Sequence, residues 1–469
     1  LTSITEAAAD ANGLVYLLGV PIRFDSYFSY AISASVLLQV TILPILGALA
    51  DYSHMRKQLL QSFCVIGALA TCLLFFVTPG LHWLGGLLFL IANVAFGASM
   101  VFYNSYLPNI ASEDQRDRVS AFGWAMGYLG GGLLLLLNLV LFLFADSIGL
   151  SQSLVARISL ASAGLWWLGF ALITFVTLRP RHAVRPLPKG DTYFTIGFKQ
   201  LSRLMEISPT VIAVLLLLPL AIPVLFLLNL PIWLSLLPAL GPISVLGLFL
   251  IRKSRTLPEA MKFLVAYLLY NDGIQTVIAV SAIFAVQELE MSSTNLILVI
   301  LMIQFVAFFG ALGFGRLAGR LGTKRTIILS LVIWSVVVIY AWGGLQSTAQ
   351  VLGMEQRQLE FWLLGFVIAL VLGGSQALSR SLFSQMIPKD QEAEFYSFYE
   401  ISERGTSWLG TFIFGVVNQI FGSLRLGSLS GIFLFVIGLI LLLFVNVPKA
   451  AAEAKRPPTP SRDVLPAAH

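Results

Sequence analysis

Long apolar runs recur along the whole chain, and they limit what it can fold into more than any other feature. About 20 consecutive apolar residues form an α-helix that spans the ~30 Å hydrocarbon core of a bilayer. Of the 469 residues, 58% are hydrophobic and 11% are charged, whereas a soluble domain carries roughly 25% charged residues. The runs are too long for membrane β-strands and lack their alternation. The sequence therefore predicts an all-α protein that crosses the membrane many times.

Eleven of these runs predict one crossing each. They occupy residues 26–50, 58–77, 83–107, 120–145 and 154–177, and then 261–286, 293–317, 326–345, 361–383, 395–420 and 427–447. Between the two groups, residues 211–251 contain no charge over 41 positions. As one helix this segment would be ~60 Å long, twice the hydrocarbon thickness. We therefore expect a membrane hairpin that turns at Asn229, Leu230 and Pro231, and a re-entrant or interfacial segment is the alternative.

Basic residues predict the orientation of the bundle. With these crossings, 23 of the 29 lysine and arginine residues fall on one side, and only Arg23, Arg357 and Arg425 fall on the other. Cytoplasmic loops carry such an excess, so we expect the linker and the C-terminus to be cytoplasmic. In a bacterium the protein would be an integral protein of the plasma (inner) membrane. The net charge of +6 then faces anionic membrane lipids, and no nucleic acid is expected as a partner.

The runs and the polar stretches between them predict four regions. Residues 1–178 form an N-terminal half with five visible helices, and residues 179–260 form a cytoplasmic linker that contains the hairpin at 211–251. Residues 261–447 form a C-terminal half with six helices, and residues 448–469 form a disordered cytoplasmic tail. Because the second half has one crossing more than the first, we expect a further helix before Leu1.

An internal repeat indicates that the two halves are related. The loop after the first visible helix reads Gly47-Ala-Leu-Ala-Asp51-Tyr-Ser-His-Met-Arg56-Lys57. The corresponding loop of the second half reads Gly315-Arg-Leu-Ala-Gly319-Arg-Leu-Gly-Thr-Lys324-Arg325. Both contain G-x-L-A, then a small or acidic residue, then two basic residues five and six positions later. Related halves joined by a basic linker are typical of transporters built from repeats.

The G-x-L-A-D loop with its two basic residues resembles the signature loop of the major facilitator superfamily, and the resemblance covers essentially the whole chain. Shorter motifs resemble the branch of that superfamily that contains the vacuolar amino-acid effluxers of fungi and their bacterial relatives. These motifs are Tyr270-Asn-Asp-Gly-Ile-Gln-Thr276, Gly373-Gly-Ser-Gln-Ala-Leu-Ser-Arg380, Tyr399-Glu-Ile-Ser-Glu-Arg404 and Gly123-Trp-Ala-Met-Gly-Tyr128. The two extra helices at 211–251 depart from that branch.

The resemblance implies a major-facilitator-type bundle of two six-helix halves, with the two-helix insertion between them. It also implies that Asp51, Arg56 and Lys57 form a conformational latch that holds the halves together on the cytoplasmic side. An acid at a helix end can meet the positive end of a neighbouring helix. Gly319 removes the acid from the second copy, so we expect a one-sided latch. Ordinary anchors of the positive-inside kind are the alternative.

Polar residues inside the apolar runs are the candidates for binding a substrate or an ion, because each is costly in the membrane. Asn271, Asp272, Gln275 and Thr276 lie near mid-depth on one helical face. The Asn-Asp-Gly sequence is also a turn signal, which predicts a break in this helix. A buried polar hinge is the alternative to a binding site. Gln304 also falls near mid-depth and is a candidate for lining a cavity.

A second polar cluster lies on the penultimate helix. Glu400 and Arg404 are spaced to pair with each other, which would leave Glu403 as a candidate for proton coupling. Asp272 and Glu403 lie ~16 and ~12 Å from the cytoplasmic side, so we expect both to face one cavity. Arg380 falls close to the cytoplasmic end of its helix, and we interpret it as an anchor.

Signals for other chemistry are absent from the sequence. It has no Walker A pattern, no metal-ligand spacing and no catalytic constellation, and Cys64 and Cys72 cannot bridge each other along one helix. We therefore expect no enzyme activity, no cofactor and no metal. The predicted function is secondary active or facilitative transport of a small polar solute by alternating access, with protons as a candidate coupling ion. The family resemblance favours amino-acid efflux. A sugar, drug or lipid carrier is one alternative, and a non-transporting receptor or scaffold is another.

Overall fold

The computed structural model describes residues 8–11, 13–17, 20–52, 55–179, 193–218, 237, 240–351, 353–404 and 408–456. Among these residues, ten helices are long and apolar enough to cross a membrane. A bilayer core offers no hydrogen-bond partners, so a spanning segment must satisfy its own backbone, as a helix does. The fold class is therefore the predicted one, an all-α membrane bundle.

Five of the spanning helices lie before residue 179. A short antiparallel hairpin of β1 (Leu14–Leu17) and β2 (Val20–Arg23) precedes them. The helices, with the one-turn α4 among them, are α1 (Phe24–Tyr52), α2 (Arg56–Leu73), α3 (His82–Ser105), α4 (Leu107–Ile110), α5 (Arg116–Leu143) and α6 (Gln152–Thr177). Within this half, α2 packs against α3 and α6.

The described part of the linker contains three helices, α7 (Tyr193–Met205), α8 (Pro209–Leu217) and α9 (Leu240–Lys253). The first of them buries Ile196 and Leu201 and packs against α1. A Cβ atom at Gly241 of α9 would overlap the carbonyl oxygen of Leu215 in α8, so the two arms of the expected hairpin approach closely. The expected turn at residues 229–231 lies outside the described residues, and the double crossing stays a prediction.

The C-terminal half contains the remaining helices and a short antiparallel pair of strands. In chain order the elements are α10 (Pro258–Gln287), α11 (Ser293–Leu321), α12 (Thr323–Gly343), β3 (Gln350–Val351), β4 (Met354–Glu355), α13 (Gln356–Ser384), α14 (Glu392–Arg404), α15 (Trp408–Phe421), α16 (Leu424–Ser430), α17 (Ile432–Leu443) and α18 (Val447–Ala454).

The predicted break at the Asn-Asp-Gly sequence is wrong, because α10 is an unbroken helix of 30 residues. Gly273 serves packing here: a Cβ atom would lie 3.1 Å from the ring of Phe435. Breaking a buried helix would leave backbone groups without partners, and this outweighs the turn preference of the sequence. The predicted run at 395–420 contains α14 and α15, and residues 405–407 between them lie outside the described part of the chain.

The tail, predicted to be disordered from residue 448, begins with a helix. Asn446 caps α18 by accepting a hydrogen bond from the backbone N–H of Lys449 at 3.0 Å. Glu259 at the start of α10 accepts from the backbone N–H of Asn446 at 2.8 Å and pairs with the Lys449 ammonium at 3.2 Å. These contacts hold α18 against the C-terminal half. Composition alone does not predict them, because they depend on Glu259 of a distant helix. Residues 457–469 lie outside the described part.

The two halves meet along α1 with α14 and α5 with α11, and further contacts join α5 to α13 and α3 to α14. Glycines of the repeated loop motif make the first two approaches close. A Cβ atom at Gly47 would lie 2.9 Å from the Cβ of Ser397, and one at Gly315 would lie 2.6 Å from the Cβ of Ala121. The first glycine of each motif copy therefore faces the opposite half.

Candidate functional site

The basic end of the bundle, where α1 and α11 end and α2 and α12 begin, joins the halves through Asp51. This carboxylate is buried and accepts hydrogen bonds from the backbone N–H groups of Ala393 at 3.2 Å and Glu394 at 2.9 Å. Both donors belong to the first turn of α14, whose N–H groups have no partner within the helix. An acid of the N-terminal half thus caps a helix of the C-terminal half.

Arg56 completes this contact from the start of α2. Its guanidinium forms an ion pair with Asp51, lies 3.6 Å from the Glu392 carboxylate and donates to the carbonyl oxygen of Ser105 at 3.4 Å. Burial of an arginine requires such pairing. The structure therefore brings together Asp51 and Arg56 of the predicted latch residues. Lys57, the third, is half-buried in the first turn of α2.

At the second copy of the loop, Thr323 makes the contact with the other half, and the sequence analysis did not identify it. Gly319, which occupies the position equivalent to Asp51, has open space around it. Four residues later, the hydroxyl of Thr323 donates to the carboxylate of Asp117 at 2.6 Å. Because Asp117 lies in the first turn of α5, the acid for this contact comes from the N-terminal half. The polar contact across the halves is therefore present at both loops.

Arg380 lies between the halves, and its interpretation as a membrane anchor is wrong. The residue is 4% exposed, and its guanidinium donates to Ser120 Oγ at 2.9 Å, to the Ser120 carbonyl oxygen at 2.9 Å and to Asn104 Oδ1 at 3.0 Å. The amide of Asn104 in turn donates to the Glu400 carboxylate. We call Arg380, Asn104, Ser120 and Glu400 the interface network. Its members come from α13, α3, α5 and α14, so it joins both halves in one buried cluster.

Deeper in the bundle, the contacts between the halves become fewer and less charged. The hydroxyl of Tyr128 in α5 donates to Gln376 of α13 at 2.7 Å. Gln304, predicted as a cavity residue, is half-buried and packs against Gly131 and Gly132 at the crossing of α5 and α11. Glycine at these positions admits the amide side chain between the helices. Gln304 therefore lies at the interface of the halves.

The predicted polar face of α10 packs against α14 and α15. Asp272 is fully buried, and its Oδ2 accepts from the backbone N–H of Gly410 at 2.8 Å. The amide of Asn271 donates to the carbonyl oxygen of Glu403 at 3.1 Å, and the Thr276 hydroxyl donates to the Asp272 carbonyl oxygen at 2.7 Å. Gln275, the fourth member, is half-buried. The face therefore contacts both α14 and α15.

Two buried oxygens on this face have no hydrogen-bond partner, Asp272 Oδ1 and Asn271 Oδ1. Buried polar atoms are normally paired, and each exception calls for an explanation. In a transporter, such atoms are candidates for contacts with a substrate or an ion that arrives during the cycle.

Glu403 and Asp272 are held by different partners. The carboxylate of Glu403 accepts from the Tyr267 hydroxyl at 3.2 Å, whereas Asp272 bonds to α15. Glu400 belongs to the interface network through Asn104, and the side chain of Arg404, its predicted partner, lies outside the described residues. In the described part of the chain, no group of three or more His, Cys, Asp or Glu residues could hold a metal ion.

The missed residues had a signal in the sequence. Asn104 and Arg380 lie within or beside long apolar runs, where a charged or amide side chain is costly unless it has a polar partner or a function. The position of Arg380 close to the end of its helix suggested surface anchoring. Only the packing of α5 on α13 and of α3 on α14 brings its guanidinium to Asn104.

Comparison with known proteins agrees with this architecture. The family model described as "Vacuole effluxer Atg22 like" matches residues 4–219 and 242–455. The "Uncharacterized MFS-type transporter YxiO" of Bacillus subtilis (strain 168) is 28% identical over 423 residues, covering 90% of this chain and 84% of that protein. "Autophagy-related protein 22" of Coccidioides immitis (strain RS) is 28% identical over 516 residues, covering 96% and 78%.

Solved structures with the same fold are major facilitator transporters. The proton:xylose symporter XylE has a TM-score of 0.63 at 11% identity, over 95% of this chain and 90% of that one. The human organic anion transporter MFSD10 has a TM-score of 0.59 at 16% identity, over 91% and 86%. At such identities the likeness is one of fold, while the family model covers both halves of the chain. The chain is a multi-pass membrane transporter on the major facilitator scaffold, and it belongs to the Atg22-like vacuole effluxer family.

Proposed function

We propose that this protein is a secondary carrier that moves a small polar solute by alternating access between its two halves, with amino acids as the first candidate solute and export as the direction. The observation that carries the proposal is the polar character of the buried contact between the halves. The interface network contains one arginine, one glutamate, one amide and one hydroxyl. Such contacts can be exchanged for other hydrogen bonds when the halves move, whereas a close-packed apolar seam would resist separation.

The charge pattern supports a specific state of the cycle. The contacts of Asp51, Arg56, Asp117 and Arg380 join the halves at the basic end. If the basic end is cytoplasmic, as the positive-inside rule predicts, this conformation is closed to the cytoplasm and corresponds to an outward-facing state. Alternating access then requires these contacts to break together, and Asp51 with Arg56 acts as the latch.

Export is proposed because the family is one of vacuole effluxers. Amino acids are proposed from the sequence motifs that resemble the amino-acid effluxers, together with the chemistry of the interior. Gln304, Tyr128 and Gln376 offer neutral hydrogen-bonding groups at mid-depth, which suits a zwitterion better than a large apolar drug. Asn271, Asp272, Gln275 and Thr276 with Glu400, Glu403 and Arg404 remain the proposed binding or coupling residues. Protons are the proposed coupling ion.

The direct test is transport by the full protein in liposomes. Radiolabelled amino acids, sugars and organic anions would be compared one by one, with and without a pH gradient. We expect at least one amino acid to exchange faster than in empty liposomes and to accumulate when the gradient is imposed. Transport confined to another solute class would replace the amino-acid assignment, and no transport of any member would favour a receptor or scaffold.

Alternating access has its own test, based on a pair of engineered cysteines. In a background without Cys64 and Cys72, Asp117→Cys with Thr323→Cys would be bridged across the halves by a short thiol cross-linker. We expect transport to stop when the bridge forms and to return when a reducible bridge is cleaved. The matched control is Glu288→Cys with Arg425→Cys, two side chains 2.6 Å apart within the C-terminal half. Bridging that pair should leave transport intact, and equal transport by both bridged proteins would contradict the mechanism.

A further inference from the structure

A row of polar side chains lines the crossing of α5 and α13 and runs inward from the basic end. On α5 these residues recur at every fourth position, and they are Arg116, Ser120, Trp124 and Tyr128. On α13 their partners follow the same spacing in the reverse chain direction, and they are Ser384, Arg380 and Gln376. Residues four apart share one face of a helix, so the row extends over about 18 Å. We call this set of residues the polar seam.

Two buried arginines in the polar seam have no acid beside them. Arg116 is 8% exposed and Arg380 is 4% exposed. Arg116 donates to the carbonyl oxygen of Ser384 at 3.0 Å, and Arg380 donates to oxygens of Ser120 and Asn104. No salt bridge to either guanidinium is found in the part of the chain that the structure describes. The groups that they bond are therefore all neutral.

Three other arginines with limited exposure are paired with acids, namely Arg56 with Asp51, Arg357 with Glu355 and Arg425 with Glu288. In the interface network, by contrast, the amide of Asn104 lies between Arg380 and Glu400 and bonds to both. A buried charge is costly unless it is closely paired. The two arginines of the polar seam are therefore suited to an anion that is not part of the chain.

Unused hydrogen-bond donors point to the same kind of ligand. A guanidinium has five N–H groups, of which Arg380 uses three and Arg116 uses one in the described structure. The Nε atom of Arg116 and the indole Nε1 atom of Trp124 are shielded from solvent and have no partner. The Arg380 guanidinium lies 5.9 Å from the centre of the Trp124 ring. The polar seam thus presents several N–H groups to an acceptor with negative charge.

A carboxylate matches these donors in shape as well as in charge. Its two oxygens lie in one plane and fit the planar fork of a guanidinium, which binds them with two parallel hydrogen bonds. One helical turn deeper, the hydroxyl of Tyr128 and the amide of Gln376 bond to each other. These neutral groups suit the polar remainder of a small solute.

Building on the proposed function, we propose that Arg380, together with Arg116 and Trp124, binds the carboxylate of a solute that enters from the basic end. In the closed conformation Arg380 bonds to Ser120 and Asn104 of the N-terminal half. Separation of the halves at this end breaks these bonds, and the carboxylate of the solute replaces them. Solute binding therefore stabilises the conformation that is open at the basic end, as a carrier that loads its solute there for export requires.

The first test measures binding of amino acids and of their α-amides, which lack the carboxylate, to the full protein in detergent by calorimetry. The probes are L-leucine, L-serine and L-lysine, each compared with its amide. We expect wild type to bind at least one acid about tenfold or more tightly than its amide, because hydrogen bonds between charged groups are lost. Arg380→Gln should abolish this preference and Arg380→Lys should retain part of it. Trp124→Phe, which keeps an aromatic ring but removes the N–H group, should reduce it roughly threefold.

The controls separate recognition from a structural role in the interface network. A loss of stability in Arg380→Gln lowers binding of acid and amide equally, so the ratio of the two affinities reports recognition alone. Arg118→Gln removes an exposed arginine of α5 at the same end and should keep the wild-type ratio. Sodium acetate should displace the bound amino acid, and sodium chloride at equal concentration should not.

Two outcomes would overturn the carboxylate site. One is a wild type that prefers no acid over its amide, or a preference that survives in Arg380→Gln, and the other is equal displacement by chloride and acetate. Transport of the same probes in liposomes separates this inference from the proposed function. If wild type binds an amino acid through Arg380 but moves none, the proposed function fails and the site stands. If amino acids are transported and Arg380→Gln keeps the preference, the site fails and the function stands.

Discussion

The Asp51 carboxylate, at the scale of one residue, links the halves directly at the basic end. It accepts two backbone N–H groups of α14 and pairs with Arg56, and it is buried from solvent. The family resemblance predicted a latch at this position from the loop sequence. The groups that Asp51 binds, in the first turn of α14, could not be predicted, because the donors are backbone groups that no motif records.

Asp51→Ala tests the latch. The substitution removes the acceptor for two N–H groups and leaves Arg56 beside Glu392 alone, and breaking such a buried pair costs about 3–5 kcal/mol. We expect the closed state of the basic end to be weakened, so that turnover falls by at least about tenfold while solute affinity changes less. Exchange rates and binding would be measured on the same preparations.

The control for this change is Asp114→Ala, which removes an exposed acid from a nearby loop and should alter neither quantity. Unchanged kinetics in Asp51→Ala would mean that the basic loop is only a membrane anchor.

At the scale of the element, helix crossings depend on some glycines and not on others, even within one helical turn. In α11, a Cβ atom at Gly310 would overlap the carbonyl oxygen of Leu370 and lie 2.8 Å from its Cα, whereas one at Gly313 would meet open space. Sequence analysis assigns close packing to any glycine in a spanning helix. It cannot separate these two, because the neighbour belongs to α13, some 60 residues away.

Gly310→Ala should therefore destabilise the protein, and Gly313→Ala should not. The backbone of α13 cannot move aside as a side chain could, so we expect an overpacking cost of about 1–3 kcal/mol. Thermal unfolding in detergent, followed by the loss of monodisperse protein, would show a lower Tm for Gly310→Ala alone. Equal Tm values for the two variants would contradict the crossing of α11 and α13 described here.

At the scale of the whole molecule, the hairpin predicted at residues 211–251 decides how many times the linker crosses the membrane. Its described arms, α8 and α9, pack against each other and near α7 and α1. They carry no charged side chain before Arg252, so they suit a position against lipid outside the two-fold bundle. A double crossing would place residues 229–231 on the side of the membrane opposite to Ser254.

Single cysteines test this topology. In a background without Cys64 and Cys72, Asn229→Cys and Ser254→Cys would be labelled in intact cells with a membrane-impermeant thiol reagent. We expect only Asn229→Cys to react from outside, and Ser254→Cys to react only after the membrane is opened. Labelling of both positions from the same side would exclude the double crossing. Labelling of Ser254→Cys from outside would in addition reverse the predicted orientation of the second half.

The sequence by itself determined the class of fold, the positions of nearly all spanning helices and the repeated loop that contains Asp51. These properties follow from local composition, since each apolar run must form its own helix in lipid. The tertiary structure alone decided that α10 is continuous, that Arg380 lies between the halves and that Asp272 and Glu403 have separate partners. Each of these depends on the chemistry of a neighbour that is distant in the chain, such as Gly410 for Asp272 or Asn104 for Arg380. Helix formation in a membrane is a local property, whereas the partner of a buried polar group is set by how the helices pack.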